Sequence, residues 1–178
     1  LQRLRFSLVP LSRRLALAIA APSGPGVIGA TLLFVAEGVC MPTSPDFEAK
    51  VQAVEGWIAA LLHRLDWRDR RRTWLALVAV LHAIRDCLGR DEAVYLGTEL
   101  PTLLRGFYYE GWHPRARRLT SREAFLERIR DGLKHDLAAD AEAVARAVML
   151  ELARRLPATE LEDVKAATPP DIHGLWPS

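Results

Sequence analysis

The segment from Arg70 to Leu88 constrains the fold more than any other. Trp74, Leu77, Val78, Leu81, Ile84 and Leu88 recur at three- and four-residue steps, and Leu75 and Val80 widen their stripe. That is the period of a helix with one buried side. A stripe this wide needs neighbours in more than one direction, which predicts the central helix of a bundle. Gly89 is expected to end it, since glycine tolerates the left-handed conformation past a helix C-terminus.

The flanking sequence has the same character. Phe47 to Leu65 predicts a first helix, with Val51, Val54, Trp57, Ile58, Leu61, Leu62 and Leu65 on one side. Asp66, with Asp69 three residues on, offers a cap for the second helix. Asp91 to Leu100 predicts a short helix. Pro101 fits the first turn of another, carrying Leu103, Leu104 and Phe107. Thr120 and Glu123 have capping-box spacing before a helix reaching Leu133 through Phe125, Leu126 and Ile129. Ala139 to Leu156 repeats the long-helix pattern. Thr159 and Glu162 form a further box, and Pro169-Pro170 opens a terminal turn bearing Ile172, Leu175 and Trp176. No stretch alternates apolar and polar residues long enough to argue for a strand, so the expected class is all-α.

The pattern also repeats. A shift of 68 residues lays Leu77, Leu81, Ile84, Leu88, Glu92 and Pro101 over Ala145, Met149, Leu152, Leu156, Glu160 and Pro169. Leu104 falls over Ile172 and Tyr108 over Trp176. Each copy has an apolar face too broad for a small unit to bury alone. The expectation is two helical copies, about residues 47–112 and 120–177, joined by a linker at 113–119 and packed as one two-lobed bundle. At 178 residues and 50% hydrophobic, the chain can bury such a core.

Charge divides unevenly. The whole chain has a formal net charge of +2, but residues 1–40 hold four arginines and one acid, leaving 20 basic and 21 acidic groups beyond them. The excess therefore argues for neither nucleic-acid nor anionic-membrane binding. Arginines followed by an uncharged run from Leu15 to Ala36 follow the order of a secretory leader. Pro22-Ser23-Gly24-Pro25-Gly26 breaks that run below the roughly 20 residues of a bilayer span, so no stable span is expected. Three readings of residues 1–40 stay open: sequence upstream of the folded unit, a targeting or anchoring segment, or part of the fold. A cytoplasmic protein is expected, or an exported or envelope-associated one if this segment directs it. Two cysteines, Cys40 and Cys87, make neither a disulfide framework nor a thiolate metal site.

The run RRRTWLALVAVLHAIRDCLGRDEAVYLGTELPTLLRGFYYEGWHP, Arg70 to Pro114, closely resembles the bacterial DUF2267 family, a domain of unknown function. VEGWIAALLHRLDWRDR upstream, and REAFLERI and DIHGLWP downstream, fit the same pattern, so the resemblance covers about residues 47–177. Cys87 stands where the family commonly has arginine, and Glu99 where it has glutamine. The resemblance implies a duplicated helical fold and supplies no catalytic residue, cofactor or substrate.

His82 and Asp86 sit at i and i+4, where a carboxylate could orient an imidazole or the pair could supply two metal ligands. No H-E-x-x-H motif is present, and His63, His113, His135 and His173 lack metal-ligand spacing. No metal, cofactor or catalytic residue is therefore assigned, and a structural pair is expected. Arg85 and Asp86 could tie the long helix to the proline-started turn through Arg105 or Glu110. Alternatively Arg85 and Arg105 could hold an anion. His82, Arg85, Asp86, Arg105 and Glu110 thus make a candidate inter-lobe pocket.

Tyr108, Tyr109, Trp112 and His113 gather rings at the hinge between the copies, suited to packing or to recognising a partner. Arg115 to Arg118 reads as a solvated linker. Arg68, Arg70, Arg71 and Arg72 read as a salt-bridging turn or a docking point for an acidic partner. Cys87 reads as a buried filler. Together these features suggest a helical protein-interaction or regulatory module. The alternative is a ligand, anion or metal binder, or a hydrolase-like enzyme, using the inter-lobe pocket.

Overall fold

The computed structural model describes residues 45–134 and 136–177. The expectations for residues 1–40 and for His135 lie outside the described residues. Seven α-helices follow one another: α1 Pro45–Leu65, α2 Arg70–Cys87, α3 Arg90–Glu99, α4 Thr102–Tyr109, α5 Arg122–Gly132, α6 Ala141–Arg155 and α7 Ala158–Ala167. A 3-10 turn, Pro170–Leu175, ends the series. Among the described residues there is no strand.

The wide stripe of α2 has the consequence its sequence implies. α1, α4, α5 and α6 all pack against it. Leu77, Val80, Leu81 and Ile84 are fully buried, as are Leu61 of α1, Leu104 of α4, Ile129 of α5 and Leu152 of α6. Removing each such aliphatic side chain from water contributes about 1.5–3 kcal/mol before conformational entropy is set against it. Close approach of α5 to α2 depends on two small residues: a Cβ on Gly132 would stand 2.5 Å from that of Ala79. On the other side, α1 packs against α6 and α3 against α7.

A buried carboxylate joins α6 to α1. Glu151 accepts from Arg155 Nε at 2.7 Å. The same arginine donates to the carbonyl of Gly56 and lies 4.7 Å from the centre of the Trp57 ring.

Four expected helix ends differ from the structure. Asp69, not Asp66, caps α2, its carboxylate accepting from the amides of Arg71 and Arg72 at 2.8 and 3.1 Å. Asp66 has φ +52, the left-handed conformation that terminates α1, and so cannot take the extended geometry of a cap. Gly89 is extended, with φ −66, because the chain passes directly from α2 into α3. Its left-handed freedom is not used. Ser121 rather than Thr120 caps α5, accepting from the amide of Ala124. Thr159 lies inside α7, which Pro157 precedes.

Candidate functional site

The last turn of α4 presents main-chain carbonyls that no further helical turn can satisfy. α2 supplies the donors. His82 Nε2 lies 2.7 Å from the carbonyl of Phe107. The Arg85 guanidinium donates to the carbonyls of Tyr108 and Glu110. Cationic and N–H groups at a helix C-terminus also match the negative end of its dipole. Burial pushes the His82 imidazole below its ordinary 6.5, although the bond to Phe107 pulls the other way.

Arg85 is 3% exposed and Asp86 holds its remaining side. One Asp86 oxygen accepts from Arg85 Nε at 2.9 Å, and the other accepts from Arg128 Nε of α5 at 3.0 Å. The carboxylate therefore bridges α2 to α5. Among the described residues no hydrogen bond joins His82 to Asp86: the imidazole turns to Phe107 and the carboxylate to Arg85 and Arg128, although the Asp86 charge still acts on the ring.

The other expected pocket residues separate. Arg105 donates to the carbonyls of Thr98 and Leu100, closing the end of α3 rather than joining Arg85. Glu110 contributes its carbonyl to Arg85 while the residue itself is exposed.

The hinge rings also divide. Tyr108 is fully buried, its hydroxyl donating to the carbonyl of Ala93 at 2.9 Å, so it is core and offers no contact surface. Burial pushes its hydroxyl well above the ordinary range. Tyr109 donates to the carbonyl of Val94 and lies 5.4 Å, centre to centre, from Trp112. Phe107, 42% exposed, meets the edge of Trp74.

Beyond α4, Gly111 takes φ +63 and turns the chain into an exposed segment that ends at Leu119. Leu119 donates its amide to the Asp86 carbonyl at 2.8 Å. Between this segment, α2 and α5 opens a cavity of about 180 Å³. Arg85, Arg90, Arg117, Arg118 and Arg128 line it, with Asp86 the one acid. Trp112 and His113 complete its rim. Among the described residues, none of Arg90, Arg117 and Arg118 makes an ion pair or a side-chain hydrogen bond.

Sequence reasoning found Arg85, Asp86, Trp112 and His113 but not Arg90, Arg117, Arg118 or Arg128 as members of one wall. The arginine run of the linker was the available signal. Arg128 had none, since its partner lies 42 residues away.

Elsewhere, burial first and nearby carboxylates second push the Cys87 thiol up to about 12, consistent with a filler. Arg70 pairs with Glu55, and Arg72 pairs with Asp136 at 2.7 Å, making the salt-bridging turn. Among the described residues, no group of three or more His, Cys, Asp or Glu side chains could hold a metal ion. No described helix is long and apolar enough to cross a membrane.

Fold and cavity together define an all-helical protein with a polar, arginine-lined pocket beside an aromatic hinge. Residues 54–175 match the family described as "Uncharacterized conserved protein (DUF2267)". The chain belongs to that family. No curated protein matches it.

Proposed function

We propose that the chain is a duplicated helical binding module whose contact face is the segment 107–119, and that this face receives an acidic protein partner. One observation carries the reading: Arg90, Arg117 and Arg118, none of them in an ion pair among the described residues, line one cavity with the partly exposed ring of Trp112. Charge complementarity steers such a partner, and the Trp112 ring supplies contact area with little side-chain entropy to lose.

The duplication is supported by geometry as well as by sequence. α3 and α7 occupy the same ten positions displaced by 68. Pro101 and Pro169 have φ/ψ of −50/141 and −54/137. Trp57 and Phe125, Leu61 and Ile129, Ile84 and Leu152, and Leu104 and Ile172 are buried pairs at that same displacement. The packing is reciprocal, α1 lying on α6 and α5 on α2, so each copy's first helix covers the other's long helix. That exchange supports the reading of two lobes that share one core.

The test is a photo-crosslinking residue placed at position 117 and, separately, at position 162 on α7, in the cells that make the protein. Protein adducts specific to 117, lost on Trp112→Ala, support the reading. Adducts equal at both positions, or adducts only to nucleic acid at 117, reject it.

A further inference from the structure

We propose that the cavity between α2, α5 and residues 111–119 binds one phosphate group. The proposal deepens the reading above and rests on it for the idea that the phosphate can arrive on a partner.

The cavity's charge is the first argument. Five guanidinium groups and one carboxylate line it, and that carboxylate is already engaged by two of the five. Like charges gathered around a concave wall raise the local potential, and an anion of more than one charge lowers it most. A phosphate ester carries about −1.5 to −2 at neutral pH and three acceptor oxygens, where a carboxylate brings a single charge.

Preorganisation is the second. Asp86 holds Arg128 through Nε alone, so its terminal nitrogens keep their N–H groups available for a fork onto phosphate oxygens. Arg85 is locked by the α4 carbonyls and Asp86, which makes it a fixed charge at the cavity floor rather than a mobile ligand. Arg117 and Arg118 come from a segment tied at both ends to α2, at Glu110 through Arg85 and at Leu119 through Asp86. The loop that would close over the anion is therefore anchored on the same two residues that form the floor.

Size is the third. The volume of about 180 Å³ lies below the roughly 300–1,000 Å³ of pockets that enclose whole metabolites. It admits a single anionic head group. The rest of the ligand would lie outside, where the Trp112 and His113 rim meets it.

The experiment titrates the full chain with two probes, inorganic phosphate and a peptide carrying one phosphoserine, by calorimetry at constant ionic strength. Chloride and the unphosphorylated peptide are the controls. Saturable binding of both probes at one site is expected, weakened about tenfold for each of Arg117→Ala and Arg118→Ala. Arg154→Ala, an exposed change on α6 outside both the cavity wall and the contact face, should leave affinity unchanged. A peptide bound at least about tenfold more tightly than inorganic phosphate assigns the phosphate to a partner, and equal affinities assign it to the free anion. Failure of both probes to saturate, or affinity unchanged in the Arg117/Arg118 double variant, overturns the proposal. If phosphate fails while crosslinks through position 117 persist, the cavity assignment is wrong and the contact face stands. If phosphate binds while those crosslinks are absent, the contact face is wrong and the site stands.

Discussion

Leu119 donates its main-chain N–H to the carbonyl of Asp86 over 2.8 Å, one residue along α2 from the arginine that holds Glu110. The segment between α4 and α5 is thus closed at adjacent points of one helix. An exposed loop tied in this way keeps its arginines near the cavity without needing a core of its own.

Arg85→Ala should lower stability by about 3–5 kcal/mol, because it strands buried carbonyls and leaves Asp86 with one partner instead of two. Arg85→Lys should recover little of this, since an ammonium cannot reach the α4 carbonyls and Asp86 as a planar fork does. Denaturant midpoints of the two variants, compared with that of the parent, check both statements. Equal loss of about 1 kcal/mol or less would mean the clamp is not structural.

The folded chain disfavours the charged form of His82, so the unfolded chain takes up that proton first as pH falls. The stability this residue contributes is complete above its ordinary 6.5 and is lost as pH drops from there through its lowered folded value. His82→Gln keeps a donor for Phe107 and removes the titration. Stability of the parent should therefore fall more steeply than that of the variant below pH 6.5, and parallel curves would contradict the assignment.

Three glycines should respond differently to alanine. At Gly97 a Cβ would lie 2.0 Å from the Tyr109 hydroxyl, and at Gly132 it would meet Ala79, so each substitution should cost about 1–3 kcal/mol. Gly106, in α4, has nothing within 4 Å of the added carbon and should gain about 0.5–1 kcal/mol from helix propensity. Thermal denaturation of the three variants gives the order directly.

With Cys40 changed to serine, alkylation of the folded protein at mildly alkaline pH should be slow. The remaining thiol, Cys87, is buried and pushed up to about 12, so little thiolate is present. Labelling as fast as that of a denatured sample would overturn this.

Residues 41–119 and 120–178, made as separate chains, should each fail to unfold cooperatively and should regain a cooperative transition when mixed. The reason is the exchange of first helices between the halves. Independent cooperative folding of either piece would count against a shared core.

The stripe of α2 placed Leu77, Leu81 and Ile84 inside, and the structure buries all three. Helix boundaries came within two residues, but the caps were harder: Asp66 and Asp69 are the same residue type, and only the turn by which the chain passes from α1 into α2 decides which is left-handed. The candidate pocket was legible in Arg85 and Asp86 and illegible in Arg128. Arg105 looked equivalent to Arg85 because both are arginines near the same turn, yet one closes α3 and the other closes α4.

By itself the order of amino acids determined that this chain is helical, where its apolar faces lie and which family it joins, since periodicity and motif are local properties. Tertiary structure alone decided which arginines share a cavity and which are spent on helix ends. Charge acts through space over a few ångströms, and neighbours at that range, such as Asp86 and Arg128, can be distant along the chain.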